Sequence, residues 1–264
     1  MALQSPVMSL MIKAAEKAAK SLVRDFGEVE QLQVSRKGPA DFVTAADKRS
    51  EEIIFEELKR VHPDYSFLME ESGEVKGADT ENKWIIDPLD GTHNFMHGIP
   101  QWSISIALEQ KGQIIAGLVY DPIKFELFRA EKGMGAFLAK KRLRVSGRSD
   151  FESAVLAIGY PNPAEDRKKK LLAELDVVCN VAPMIRRFGS AALDMAYVAA
   201  GRFDGFWERG LKPWDAAAGS LIVKEAGGYV TSIDNDDNPT YSRHLVCGNP
   251  AIHTNLRKLL KSVV

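Results

Sequence analysis

The 264-residue chain carries 35 Lys and Arg against 36 Asp and Glu, a formal net charge of -1, and 45% of its residues are hydrophobic. Its length supports a substantial core, and the charge balance excludes the broad basic field of a bulk nucleic-acid binder. Cys179 and Cys247 have neither metal-ligand nor redox spacing and are expected to be buried thiols of a reducing compartment, and the five His lack the HExxH pairing of a zinc site.

In chain order, Met8, Met11, Ile12, Ala15, Ala19, Leu22 and Phe26 form the apolar stripe of a first helix. Lys13, Glu16, Lys17 and Lys20 interrupt any signal-peptide core, and no run approaches a membrane span. A soluble, cytoplasmic protein is the expectation. Residues 31–36 read as a strand, followed by a loop at Lys37-Gly38-Pro39-Ala40-Asp41. Thr44-Ala45-Ala46-Asp47 has the spacing of a capping box for a helix with Ile53, Ile54 and Leu58 on its core face. Asp47 then has an ordinary structural role. Phe67-Leu68-Met69 is a short apolar strand with Glu70-Glu71-Ser72-Gly73 at its end. Adjacent carboxylates there are usually solvated, but strand ends are also where sites are built.

The stretch Trp84-Ile85-Ile86-Asp87-Pro88-Leu89-Asp90-Gly91-Thr92 organises the chain. Pro88 predicts that the strand stops there, which puts Asp87 at a strand end. A turn at Asp90-Gly91 and a cap at Asp87 are the plain alternatives. Residues 102–109, 113–120, 125–130 and 136–140 read as an antiparallel meander. Polar residues 146–153 mark the seam between an N-terminal half, 1–148, and a C-terminal half, 149–264, packed as one compact unit.

The second half alternates strands (154–158, 183–188, 203–207) with helices (163–179, 191–200). Gly189-Ser190 opens one helix, either as an anion seat or as a simple Ser cap. Glu208 ends a strand. Asp215 opens a helix of small residues, Ala216-Ala217-Ala218-Gly219, whose composition predicts close packing against a neighbour. Glu70, Asp87, Asp90 and Asp215 thus each sit at an element terminus. Carboxylates that converge call for a hard cation such as Mg²⁺. Thr92 can then hydrogen-bond an attacking water while Asp47 takes the proton, and the turn at Gly91-Thr92 can meet phosphate.

Met69-Glu70-Glu71-Ser72-Gly73, Trp84 through Phe95, and Lys212-Pro213-Trp214-Asp215-Ala216-Ala217-Ala218-Gly219 resemble signature motifs of the inositol monophosphatase family. Asp41 through Asp47 and Gly189 through Asp194 match as well, in family order along the whole chain. The resemblance implies an α+β fold, a layered α-β-α-β-α sandwich of the inositol monophosphatase and fructose-1,6-bisphosphatase type. It also implies a homodimer that hydrolyses phosphate monoesters with two or three Mg²⁺ ions, with Mn²⁺ as a substitute and with sensitivity to Li⁺.

By position, Glu70, Asp87, Asp90, Asp215 and the Leu89 carbonyl resemble the metal ligands. Asp47 and Thr92 resemble the water-activating pair, with Glu70 beside them. Asp90, Gly91 and Thr92 resemble the phosphate cradle, while Gly189, Ser190, Ala191, Glu208 and Asp215 resemble the grip on substrate, with Lys37 in a loop near the site. His93 stands where Thr is common in the family. The expected reaction is in-line attack by a metal-activated water on inositol 1-phosphate. Fructose 1,6-bisphosphate, another sugar or nucleotide phosphate, and a regulatory role on RNA or RNA polymerase are the alternatives. A covalent Asp-x-Asp-Gly-Thr phosphatase is disfavoured, because these carboxylates stand three apart with Pro between them.

Overall fold

The structure, a computed structural model, describes residues 4–28, 34–38, 41–160, 168–235 and 238–263, with the backbone alone for 34–38 and 41–43. Helix α1 (Pro6–Phe26) is capped by Ser5, whose hydroxyl accepts the Met8 N–H at 3.0 Å. It buries Met8, Met11, Ala15, Ala19 and Leu22 of the predicted stripe. A hairpin of β1 (Val34–Gly38) and β2 (Asp41–Thr44) leads into α2 (Ala45–Val61). The predicted capping box is present: Thr44 accepts from the Ala46 and Asp47 amides, and Asp47 accepts from the Thr44 amide. Helices α1 and α2 pack on each other and on one face of the first sheet.

That sheet contains β3 (Ser66–Met69), β4 (Gly73–Val75), β5 (Asn82–Asp90), β6 (Ser103–Gln110), β7 (Gln113–Asp121), β8 (Glu126–Glu131), β9 (Gly135–Leu138) and β10 (Lys141–Arg142). The order is β10-β9-β8-β7-β6-β5-β3-β4; the expected antiparallel meander is β6 to β9, and the structure extends it to β5 on one side and β10 on the other. Both faces are covered, so Trp84 and Ile86 bury towards α1 and α2 while Ile85 buries on the opposite side. A short helix, α3 (Thr92–Met96), follows β5.

The second sheet holds β11 (Val155–Ile158), β12 (Met184–Arg186), β13 (Gly205–Arg209), β14 (Tyr229–Ser232) and β15 (His244–Gly248), in the order β12-β11-β13-β15-β14. Helices α5 (Ala191–Ala199) and α6 (Pro213–Glu225) lie between the two sheets. Helices α4 (Lys168–Cys179) and α7 (Pro250–Ser262) cover the far side. The result is the expected α-β-α-β-α sandwich. Small residues make the middle layer possible: a Cβ on Gly219 would lie 2.8 Å from the Met195 side chain, and one on Gly117 of β7 2.9 Å from the Ala218 carbonyl. Among the described residues, no helix is long and apolar enough to cross a membrane.

Several expectations need correction. Pro88 does not end its strand, because β5 continues to Asp90 through a β-bulge in which Pro88 has no ladder bond to donate. Lys37 is not in a loop; its backbone belongs to β1, and only residues 39 and 40 separate the two strands. Its side chain lies outside the described residues. Glu208 stands inside β13 rather than at its end, since the strand runs on to Arg209. Cys247 is buried but Cys179 is exposed. Cys179 follows Val178, the last buried residue of α4, and one further residue turns the side chain roughly 100° away from the core.

Candidate active site

The bulge in β5 decides where the carboxylates point. On a regular strand, residues three apart face opposite sides. Here Asp87 pairs with Ser105 and Asp90 with Ser103, so three steps on β5 match two on β6. Ser103 and Ser105 share a face, and Asp87 and Asp90 therefore share it too. It is the face towards α5 and α6: Ser105 Oγ donates to the Trp214 carbonyl at 3.2 Å, and Ser103 Oγ lies 3.5 Å from Ser190 Oγ. The Leu89 amide donates to Asp87 Oδ1 at 3.0 Å and steadies the bulge.

Asp90 meets the start of α5. Its Oδ2 accepts Ser190 Oγ–H at 2.6 Å and the Ala192 N–H at 2.8 Å. Ser190 also caps α5 by accepting from Leu193 at 3.4 Å, so its cap role and its site role coexist. The glycines of this seam are required by conformation: Gly91 has φ +100° and Gly189 φ +82°. A Cβ on Gly91 would come within 3.0 Å of the Gln101 carbonyl and 3.3 Å of the Gly189 carbonyl. Asn94 ties the two loops together, donating through Nδ2 to the carbonyls of Gln101 and Phe188, each at 2.7 Å.

Asp47 likewise does two things. Its Oδ2 serves the cap, accepting the Thr44 amide at 2.9 Å and the Thr44 hydroxyl at 2.5 Å. Its Oδ1 accepts the Thr92 hydroxyl at 2.9 Å, with the Leu89 carbonyl 3.1 Å from the same Thr92 oxygen. Asp215 repeats the pattern at the third position of α6, accepting the Lys212 amide at 2.7 Å. The N-terminal cap anchors each carboxylate and leaves its second oxygen for the site.

Glu70, Asp87 and Asp215 form a row, with Asp87 hydrogen-bonded to both neighbours. Burial raises the pKa of Asp47, Asp87, Asp90 and Asp215. Asp87 is held well above the usual carboxylate range by burial, then by the charges of Glu70, Asp90 and Asp215. Burial brings Asp90 up to about 6 against the hydrogen bonds from Ser190 and Ala192, and burial plus the Asp90 charge brings Asp215 up to about 7. Asp47 is raised by burial, against the hydrogen bonds of Thr44 and Thr92. The Lys212 amide and charge oppose the rise at Asp215.

Among the described residues, no three His, Cys, Asp or Glu side chains are already closed around one point as metal ligands. What the chain supplies is the donor chemistry. Buried oxygen donors that repel one another fit a hard divalent cation such as Mg²⁺, and the absence of thiol or imidazole among them disfavours zinc.

Glu208 joins this cluster from the second sheet. Burial raises its pKa well above normal, followed by the charges of Asp215, Asp194 and Asp90, with Arg187 opposing. Its carboxylate rests on Gly159, where an added Cβ would fall 1.7 Å from Oε2. Gly159 and Asp194 are the residues that reading the site from sequence missed. Asp194 is buried on α5, one turn after Ser190, with Oδ1 lacking a hydrogen-bond partner. A lone acid on an apolar helix face was the available signal. Gly159 gave none, because its partner lies 49 residues away.

The chain matches the model of the inositol monophosphatase family over residues 3–264. It is 50% identical over 260 residues to an inositol-1-monophosphatase of Mesorhizobium japonicum, covering 98% of this chain and 97% of that protein. It is 41% identical to the Nus factor SuhB of Escherichia coli, covering 94% and 92% of the two chains. Among solved structures, the extragenic suppressor protein SuhB of Bartonella henselae superposes with a TM-score of 0.95 at 51% identity, over 98% of this chain and 100% of that one.

Proposed function

The chain belongs to the inositol monophosphatase family, and on that premise we propose that it hydrolyses inositol 1-phosphate at the Asp87–Asp90–Asp215 cluster with Mg²⁺. It is a phosphoric monoester hydrolase, of a family that is generally metal-dependent. The observation that carries the finer reading is the carboxylate row of Glu70, Asp87 and Asp215, with Asp87 buried and its two neighbours half-buried, beside the Asp47–Thr92 pair.

When bound, Mg²⁺ would be held by Glu70, Asp87, Asp90, Asp215 and the Leu89 carbonyl, neutralising phosphate and lowering the pKa of water. The rest falls to the chain. Thr92 orients the nucleophilic water, and Asp47, made a better proton acceptor by burial, holds the proton that the water gives up. The turn at Gly91-Thr92 receives the phosphate. Gly189, Ser190 and Ala191 flank the polyol, and Glu208 accepts hydrogen bonds from its hydroxyls. Lys37 is assigned to the approach to the site, and a homodimer to the assembly.

Phosphate release from inositol 1-phosphate, fructose 1,6-bisphosphate and an aryl phosphate, with and without Mg²⁺, tests this reading. Preference for the bisphosphate would move the substrate to the runner-up, and Zn²⁺-dependent turnover indifferent to Mg²⁺ would reject the cation. Absence of turnover on the whole panel would favour the regulatory reading suggested by the relative named a Nus factor.

The substrate grip has its own test. Glu208→Gln is expected to slow inositol 1-phosphate hydrolysis by roughly ten- to a hundred-fold, the worth of about 1.5–3 kcal/mol for hydrogen bonds to a charged group. Aryl phosphate, which has no such hydroxyls, should be nearly unaffected. Gly159→Ala should reproduce the pattern, because the new methyl would occupy the place of the Glu208 carboxylate. Equal losses on both substrates would give Glu208 a structural role.

A further inference from the structure

Helix α2 brings more to the site than Asp47. Residues 47, 50 and 51 are spaced i, i+3 and i+4, so they lie on one face of the helix. Ser50 is fully buried and donates its hydroxyl to the Pro88 carbonyl at 2.9 Å, inside the bulge between Asp87 and Asp90. Glu51 is 3% exposed and grips the turn that follows Glu70: Oε2 accepts the Glu71 N–H at 2.8 Å, and Oε1 accepts the Ser72 hydroxyl at 2.5 Å. On the other side, the Glu70 amide donates to the Ile86 carbonyl at 3.2 Å. The backbone that carries Glu70 is therefore bracketed, by the sheet before it and by Glu51 after it.

A carboxylate is a costly residue to bury for packing alone. This one directs an oxygen to each of two donors on a turn of three residues between β3 and β4. We propose that Glu51 is the positioning residue that sets Glu70 against Asp87, with Ser50 holding the bulge, so that one face of α2 tunes the cation affinity of the carboxylate row. The proposal rests on the reading of that row as the Mg²⁺ site. Groups that orient metal ligands from outside typically change affinity about ten- to a hundred-fold when lost.

The test is calorimetric titration of Mg²⁺ into the full chain without substrate. Glu51→Ala is expected to weaken binding about ten- to a hundred-fold. It should raise the Mg²⁺ concentration for half-maximal turnover by a similar factor, while kcat at saturating Mg²⁺ changes far less. Glu51→Gln should stay closer to the parent, because the amide can accept from the Glu71 N–H and donate to the Ser72 hydroxyl. That rescue separates holding from charge: a Gln variant as weak as the Ala variant would overturn the inference, as would a folded Ala variant with parental affinity. If Glu51→Ala does not fold, Ser72→Ala, an exposed substitution that removes one of the two contacts, must still weaken Mg²⁺ binding severalfold. The exposed neighbour Glu52→Ala should leave binding unchanged. Asp215→Asn is titrated alongside. Loss of binding there with none in Glu51→Ala defeats the positioning role alone, whereas no loss in either defeats the cation site as well.

Discussion

Asp90→Asn and Asp215→Asn are each expected to reduce phosphatase turnover on the order of 10³-fold or more while leaving the fold intact, since even groups behind the metal ligands are worth about 10–100-fold. An amide can preserve the local contacts. The Asp90 oxygen that receives Ser190 and Ala192, and the Asp215 oxygen that caps Lys212, can each be supplied by the Asn carbonyl. What disappears is a negative charge in the carboxylate cluster proposed to hold the cation. In EDTA the same variants should unfold at a higher temperature than the parent, because burial and like charge are what raise Asp215 to about 7. Turnover within a few-fold of the parent would return the residue to its capping role alone.

Stability without Mg²⁺ is expected to fall as pH rises from about 5 to 8. The sign follows from proton linkage. Asp90 and Asp215 titrate near 6 and 7 in the folded chain, and Asp87, Asp194 and Glu208 are also held well above the usual range. In the unfolded chain all of them ionise near ~4. Between these limits the folded state binds more protons, so its advantage declines with rising pH and levels off above the folded values. His253 opposes this below its unfolded value of about 6.5, because burial depresses its folded pKa to about 4 and rising pH then favours the fold. His62, also lowered by burial, acts in the same sense; the two imidazoles are outnumbered by the carboxyls, and well above pH 6.5 they no longer contribute. Thermal unfolding in EDTA should therefore lose on the order of 5–10 °C across the range, the equivalent of a few kcal/mol for a chain of this size. Saturating Mg²⁺ should remove most of the slope by stabilising the ionised carboxylates. A melting temperature that is flat or rises from pH 6.5 to 8 in EDTA would contradict the buried like-charge cluster.

Much of this protein was legible from local pattern. The stripe at Met8, Met11, Ala15 and Leu22 defines α1, Thr44 with Asp47 defines the start of α2, and the run Ala216 to Gly219 announces a helix packed against close neighbours. These depend on interactions three or four residues apart, which composition encodes directly. The identities of the acids were legible as well, because Glu70, Asp87, Asp90 and Asp215 occur in spaced motifs that cover the chain.

Other features needed the tertiary structure. Pro88 reads locally as a strand terminator, yet β6 supplies a partner on both sides of it and the strand continues through a bulge. That bulge turns two acids three residues apart onto one face, which a regular strand would not do at that spacing. The seating of Glu208 on Gly159, and the clasp of Glu51 on the turn after Glu70, join residues 49 and 20 positions apart. Sequence alone therefore determined which helices Asp47 and Asp215 cap and which acids the family resemblance points to, because caps, amphipathic faces and motifs are short-range. Only the packing of two sheets around α5 and α6 decided that these acids share one cluster, because their approach depends on register and close contact between distant segments.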